Sequence, residues 1–335
     1  MESLMQEELF YGSRVKVLER NDNMSLYQII DKSGKAEMTS YKVFDGITIV
    51  YNDVHMEGIH VDVLPQEDMY EINHCNEGRI ECEFDSGDYL YMAKGDFSMN
   101  RKDGTCHQSY FPVSHYHGIS ILVIPKIAQR EMDKQFGKNK IDLKKIFIRF
   151  CGDKGFYVTQ ENKSMKHIFY ELYHVPEKIR QEYFRLKVLE VILFLSACEP
   201  EEKEERVYFS KIHVQKVKNI QKQLVENLDK KYTLQQLAKE HDIALTSMKK
   251  CFKGVYASGI YAYIKEYRMQ EAAKMLLETE KTILNIANCV GYENGSKFSA
   301  AFKDVIGITP KEFRKSRETM PEWSELRRNG VDKYV

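Results

Sequence analysis

Two short stretches of this chain gather small hydroxyl, carboxamide and lysine side chains at helical spacing. The first holds Thr246, Ser247, Lys249, Lys250 and Lys253. The second holds Asn294, Gly295, Ser296, Lys297, Ser299 and Lys303. Hydroxyls and carboxamides hydrogen-bond base edges, and lysines neutralise phosphates without reading sequence. That is the chemistry of polyanion recognition. Bond-breaking chemistry has no comparable signal: no G-x-S-x-G, P-loop, H-E-x-x-H or G-x-G-x-x-G run occurs. Asp85 with Asp88, or Glu81 with Glu83, read as exposed turn and strand charges. No catalytic residue is assigned, and the chain is not expected to be an enzyme.

The elements that must position these groups come in two copies. Thr233-Leu234-Gln235-Gln236 is a capping box that opens a short helix burying Leu234, Leu237 and Ala238. His241-Asp242 turns, Ile243 plugs the turn, and a helix over about 244–253 puts Met248, Cys251 and Phe252 inward. The pattern recurs from Thr282: Ile283, Ile286 and Ala287 inward, Gly291 at the turn, Tyr292 as plug, then Phe298, Ala301 and Phe302 inward. The copies align Leu234 with Ile283, Leu237 with Ile286, Ala238 with Ala287, Ile243 with Tyr292 and Met248 with Phe298. Phe252-Lys253 aligns with Phe302-Lys303, and one residue is inserted after the second plug. Small Ala238 and Ala287 let two helices cross closely. This is the helix-turn-helix arrangement, whose second helix enters the DNA major groove. A helix over about Gly259–Leu277 joins the copies as a strut.

Charge agrees with this division. Lys+Arg and Asp+Glu are 50 each. Residues 1–210 nevertheless hold 27 basic and 35 acidic side chains, a net of −8, and residues 211–320 hold 20 and 12, a net of +8. A polyanion, double-stranded DNA, is therefore the expected partner of the second part alone. No apolar run is long enough to span a membrane. The acidic start, Met1 to Glu8, does not read as a secretory signal. Seven scattered cysteines with no C-x-x-C pair read as reduced thiols, so a cytoplasmic location is expected.

The charged run Glu199–Arg206 marks a boundary. The expected layout is a sensor and dimerisation domain over 1–200, a linker over 201–212, a DNA-binding domain over 213–320 and a tail over 321–335. Within the first domain, short strands such as Ile47–Tyr51, Arg79–Phe84, Tyr89–Met92 and Ile119–Ile124 suggest a small antiparallel barrel over about 1–125. Turn signals at Asn76-Glu77-Gly78, Asp85–Asp88, Lys94-Gly95-Asp96 and Lys102-Asp103-Gly104 separate them. Segments 126–137, 142–150, 164–174 and 177–198 carry helical spacing. The last is apolar on more than one face, which core packing or contact with a second copy would each satisfy. The fold class is thus an α+β domain, barrel plus helices, followed by an all-α double helix-turn-helix domain.

Two other groupings could hold ligands. His115-Tyr116-His117 places two imidazoles on one strand face, but no carboxylate follows as a metal site would need. Solvated or hydrogen-bonded histidines are expected, and no metal or cofactor is assigned. Phe84, Tyr89, Tyr91 and Phe97 alternate along strands, and their inward members could line a pocket for a small-molecule effector. The alternative is a metal-dependent enzyme fused to a DNA-binding domain.

Residues 215–316 resemble the DNA-binding domain of the AraC/XylS family of bacterial transcription regulators. The resemblance is carried by Ile286-Ala287, Val290-Gly291-Tyr292, Asn294, Ser296, Phe298-Ser299, Phe302-Lys303 and Gly307-Ile308-Thr309-Pro310 through Arg314. The first copy departs more, with Asp242 at the turn and Met248 and Cys251 where leucines are commoner. Members of this family often read fewer bases with one of the two motifs. Gly95-Asp96 is similar to a turn of the cupin-type barrels such regulators often carry. Phe111-Pro112, Tyr116, Gly118 and the helical tail to 198 look closest to the branch that includes the pyochelin regulator. The resemblance implies a homodimer switched by a small-molecule effector through a shift in domain populations, and contact with RNA polymerase if the chain activates transcription.

Overall fold

The computed structural model describes residues 14–60, 68–84, 89–102, 106–152, 155–160, 163–200 and 209–316. For 82–84, 90, 106–108, 160, 163–164 and 316 it describes the backbone alone. The expected turn at Asp85–Asp88, the Asp103-Gly104 turn, linker residues 201–208 and the tail from 321 lie outside the described residues. The chain divides into two compact units, Met1–Ser210 and Lys211–Val335.

The first unit is built on antiparallel strands β1 (Lys16–Arg20), β2 (Met24–Asp31), β3 (Gly34–Phe44), β4 (Ile47–His55), β5 (Gly58–His60), β6 (Tyr70–Phe84), β7 (Tyr89–Ala93), β8 (Asp96–Arg101), β9 (Cys106–Tyr110), β10 (Tyr116–Val123) and β11 (Phe156–Gln160). They make a curled sheet in the order β1-β2-β3-β4-β10-β6-β8-β11. Off this path, β7 and β9 pair with β6, and β5 pairs with β9. Period-two alternation decides what each face buries. On β4, Ile47, Ile49 and Tyr51 join one core, while Val50 and Val54 join another on the opposite face.

Four helices cover the first face: α1 (Pro125–Phe136), α2 (Leu143–Cys151), α3 (Lys163–Tyr173) and α4 (Arg180–Ala197). Proline at the start of α1 loses no hydrogen bond there, and Asp142 caps α2 by accepting from the Lys145 amide at 3.0 Å. Phe184, Val188, Val191, Ile192 and Leu195 of α4 are buried in this core. Leu186 and Leu193 on its other side are 63% and 49% exposed, so core packing accounts for one apolar face of α4 and leaves the second open on this chain.

Three features depart from the sequence reading. Asn76-Glu77-Gly78 is a bulge within β6 and not a turn: the register against β10 slips between His117 and Gly118. Gly78 has φ +77°, and a Cβ there would lie 2.0 Å from the His115 carbonyl oxygen, so glycine lets the ladder continue. Strand β11 returns to pair with β8 from inside the helical stretch. Glu81, read as an exposed strand charge, is fully buried.

The second unit is helical: α5 (Lys211–Glu226), α6 (Leu234–Glu240), α7 (Leu245–Tyr256), α8 (Ile260–Glu278), α9 (Ile283–Cys289), α10 (Gly295–Ile306) and α11 (Pro310–Ser316). Strut α8 has 19 residues, about 28 Å at 1.5 Å per residue. Its Met269, Ala272, Ala273 and Leu276 pack with Ile286, Ala287 and Val290 of the second copy's turn region and with Phe298, Phe302 and Ile306 of α10. Its start packs against α7 and α5.

Candidate nucleic-acid interface

The two copies close their turns with the same backbone hydrogen bonds. In the first, the amides of His241, Asp242 and Ile243 donate to the carbonyls of Leu237, Lys239 and Ala238 at 3.1, 3.3 and 3.0 Å. In the second, Val290, Gly291 and Tyr292 donate to Ile286, Asn288 and Ala287 at 3.2, 3.0 and 2.8 Å. These are the same positions forty-nine residues on. Beyond the inserted residue the offset becomes fifty: the Met248 amide donates to Ala244 at 2.8 Å and that of Phe298 to Asn294 at 2.9 Å. Thr233 and Gln236 form the expected capping box, with amide-to-side-chain distances of 3.2 and 2.8 Å. Thr282 caps α9 at 3.1 Å, and Thr309 with Glu312 repeats the box at α11.

Each turn needs a left-handed residue. Gly291 has φ +80°, with room for no side chain: a Cβ would meet the Leu228 carbonyl oxygen at 2.5 Å and the Arg268 guanidinium at 3.0 Å. Asp242 takes φ +48° in the first copy, which aspartate tolerates better than most residues. A cation from another helix lies beside each turn. Lys216 of α5 reaches the Asp242 carbonyl and its carboxylate, the latter at 3.1 Å. Arg268 of α8 donates to the Lys230 carbonyl at 2.8 Å. Burial holds that guanidinium below its ordinary pKa.

Helices α7 and α10 bury Met248, Cys251 and Phe252, and Phe298 and Phe302. Thr246, Lys249, Lys250 and Lys253 are exposed on α7, with Ser247 half-buried. Asn294, Ser296, Lys297 and Lys303 are exposed at α10, with Gly295 and Ser299 half-buried. Among the described residues none of these five lysines lies within ion-pair distance of a carboxylate. Lys231, Lys265 and Lys216 nearby do, pairing with Glu293, Asp304 and Asp242. Asn294, expected as a reader of bases, also caps a helix. Its side-chain oxygen accepts from the amides of Ser296 and Lys297 at 2.9 and 3.0 Å, at the start of α10. Ala244, its counterpart, makes no such cap.

The other candidate groups lie in the first unit. Tyr89 and Tyr91 are buried on β7, Tyr91 with the Arg79 guanidinium 5.4 Å from its ring centre. Phe97 sits in the core beneath α3, 6.2 Å from the Phe169 ring, so it fills space between sheet and helix. The Phe84 side chain lies outside the described residues. The histidines form a cluster with carboxylates. His55 pairs with Asp53 at 2.8 Å, His115 with Glu77 at 3.7 Å, and the His55 and His115 rings are 5.1 Å apart. His117 lies opposite Asp53 and Glu77 in register. Burial, then the neighbouring His55, pushes the His115 imidazole below its ordinary pKa. Among the described residues no group of three or more histidine, cysteine or carboxylate side chains is arranged to hold a metal ion. Sequence reasoning missed a polar row on the Val50 face of the sheet, buried at Asn52 and Ser120 and half-buried at Asn73 and Asn100. Asn52 donates to Ser120 at 3.1 Å, Ser120 to Asn73 at 2.6 Å, and Asn73 to Asn100 at 3.1 Å. Its signal was the polar breaks at Asn52 and Ser120 in otherwise apolar strands.

Paired turns, buried inner faces and unpaired outward lysines define a helical unit with two helix-turn-helix motifs. The helix-turn-helix domain family matches residues 237–316. The transcriptional activator RhaR of Mannheimia succiniciproducens is 25% identical over 126 residues, 38% of this chain and 44% of that protein. The bifunctional transcriptional activator/DNA repair enzyme AdaA of Bacillus subtilis is 36% identical over 89 residues, 27% of this chain and 42% of that one. The C-terminal domain of AraT, a response regulator from Geobacillus stearothermophilus, is 29% identical with a TM-score of 0.30, covering 34% of this chain and 91% of that one. The matches span less than half the length of these two curated relatives. The chain carries the DNA-binding domain of the AraC/XylS family of transcription regulators. No helix among the described residues is long and apolar enough to cross a membrane.

Proposed function

We propose that the protein is a cytoplasmic, sequence-specific regulator of transcription. Helices α7 and α10 enter the major groove of double-stranded DNA. Thr246, Ser247, Ser296 and Ser299 reach base edges, while Lys249, Lys250, Lys253, Lys297 and Lys303 neutralise phosphates. The observation that carries this reading is the duplicated turn, hydrogen-bonded alike in both copies and followed each time by a helix with unpaired outward lysines. The first unit, a curled sheet of the kind a cupin-type barrel makes, holds a small-molecule effector, with Tyr89 and Tyr91 as the candidate lining groups. The working form is a homodimer, and an effector that prefers one arrangement of its domains shifts the population competent for DNA. As an activator it would also contact RNA polymerase.

The test is capture of genomic fragments by the full chain, followed by affinity measurements over a range of salt. Lys249→Ala or Lys303→Ala is expected to weaken binding to every sequence and to flatten the log–log salt slope by about 0.9 each. Ser296→Ala is expected to blur preference at one base position. Equal binding by all variants at every salt concentration would overturn the assignment.

A further inference from the structure

The two reading helices begin differently. The first residue of α7 is Leu245, and its counterpart in α10 is Gly295. The second residue of the preceding helix is Gln235 in α6 and Leu284 in α9. The leucine has changed helix between the copies. Gly295 does not take a positive φ. A Cβ added to it would meet nothing nearer than the Leu284 Cδ1, at 3.8 Å. Neither backbone conformation nor packing therefore demands glycine here. Leu284, meanwhile, is 52% exposed although its neighbours Ile286 and Ala287 are fully buried.

The result is a bare first turn on α10 with an exposed leucine methyl at its edge. The outward face continues with Ser296, Ser299 and Ala300, where α7 has Thr246, Lys249 and Lys250. In a helix-turn-helix protein the start of the second helix is the part that approaches base edges. The apolar group that a base edge offers in the major groove is the thymine 5-methyl.

We propose that Gly295 and Leu284 form a notch that takes the methyl group of a thymine in the half-site read by α10, and that α7 has no such notch. This rests on the DNA-binding reading above and adds to it a base and two specificity residues, one of them on a helix that does not itself enter the groove.

The experiment selects a preferred site for the full-length chain from random duplexes of about 25 base pairs, long enough for two half-sites. Each thymine of that site is then replaced singly by deoxyuridine, which removes only the methyl. The expected result is a loss of about fourfold at one thymine in one half-site, the worth of a buried methyl group. Leu284→Gln, which restores the first copy's residue on an exposed position, is expected to abolish that penalty. So is Gly295→Leu, which fills the notch as Leu245 fills the first. Deoxyuridine tolerated at every thymine, or a penalty undiminished in both variants, overturns the notch while leaving the regulator standing. Failure to enrich any sequence overturns the DNA-binding reading as well.

Discussion

Replacing Asn294 by alanine separates two roles that the sequence merges. Its side-chain oxygen is committed to the amides of Ser296 and Lys297 at 2.9 and 3.0 Å, while the residue as a whole is exposed. Losing an N-cap of this kind costs about 1 kcal/mol, within a range of roughly 0.5–2. For a helical unit of about a hundred residues that is a fall of roughly 4 °C or more in its unfolding midpoint. Ala244 supplies an internal comparison, because the same position of the first motif has no side-chain cap. Ala244→Asn should raise the midpoint by a similar amount. Asn294→Asp keeps the cap and places a negative charge favourably at a helix start, so it should preserve stability while weakening DNA binding. The assay is thermal unfolding followed by circular dichroism, paired with hydrogen exchange of the Ser296 and Lys297 amides. If Asn294→Ala left the midpoint and both amides unchanged but relaxed base preference, the cap would be incidental and the residue a direct reader.

Gly291→Ala forces a side chain into a φ of +80° and onto the Leu228 carbonyl. A loss of about 2 kcal/mol or more is expected, and proteolysis of the second motif would report it. Lys216→Ala removes the bonds that hold the Asp242 turn and should raise exchange at the Ile243 amide without touching the second motif. The histidine cluster predicts a pH dependence for the first unit. Burial and His55 keep the His115 pKa below 6.5 in the folded state, so below that value the unfolded chain takes up a proton that the folded chain refuses. Stability is full above pH 6.5 and declines as pH falls from there towards the depressed pKa. Burial raises the Asp53 carboxyl, but the His55 hydrogen bond and the three neighbouring imidazoles outweigh it. Its share, present above pH 3.8, is lost only at still lower pH as the folded pKa is passed. Unfolding midpoints of His115→Asn should fall less steeply as the pH drops below 6.5; an unchanged profile would exclude His115 as the source.

The helical half was legible because its determinants are local. Capping boxes at Thr233 and Thr309, the helical spacing of Phe298 and Phe302, and glycine at Gly291 each act within a few residues, and the structure repeats them. Asn294 as a cap was hidden because Lys297 stands where a capping box has glutamate or glutamine, so the residue read as an outward polar group. The first unit depends on long-range pairing, which spacing does not reveal. Strand β11 is five residues with a partner more than fifty positions earlier. Asn76-Glu77-Gly78 has turn chemistry, yet β10 lies where it can keep the ladder intact through a bulge. Phe97 was grouped with Tyr89 and Tyr91 by alternation alone, and the helix that covers it comes from residues 163–173.

Strut α8 packs against both motifs with a single unbroken helix. The distance and rotation between the two reading helices are then properties of a rigid rod, and the tolerance has to come from the duplex. One base pair added between the half-sites turns one of them by about 35° around the DNA axis, and five carry it to the far side. On the function proposed above, a promoter engaged by both motifs is expected to keep its spacer length more strictly than many of its bases.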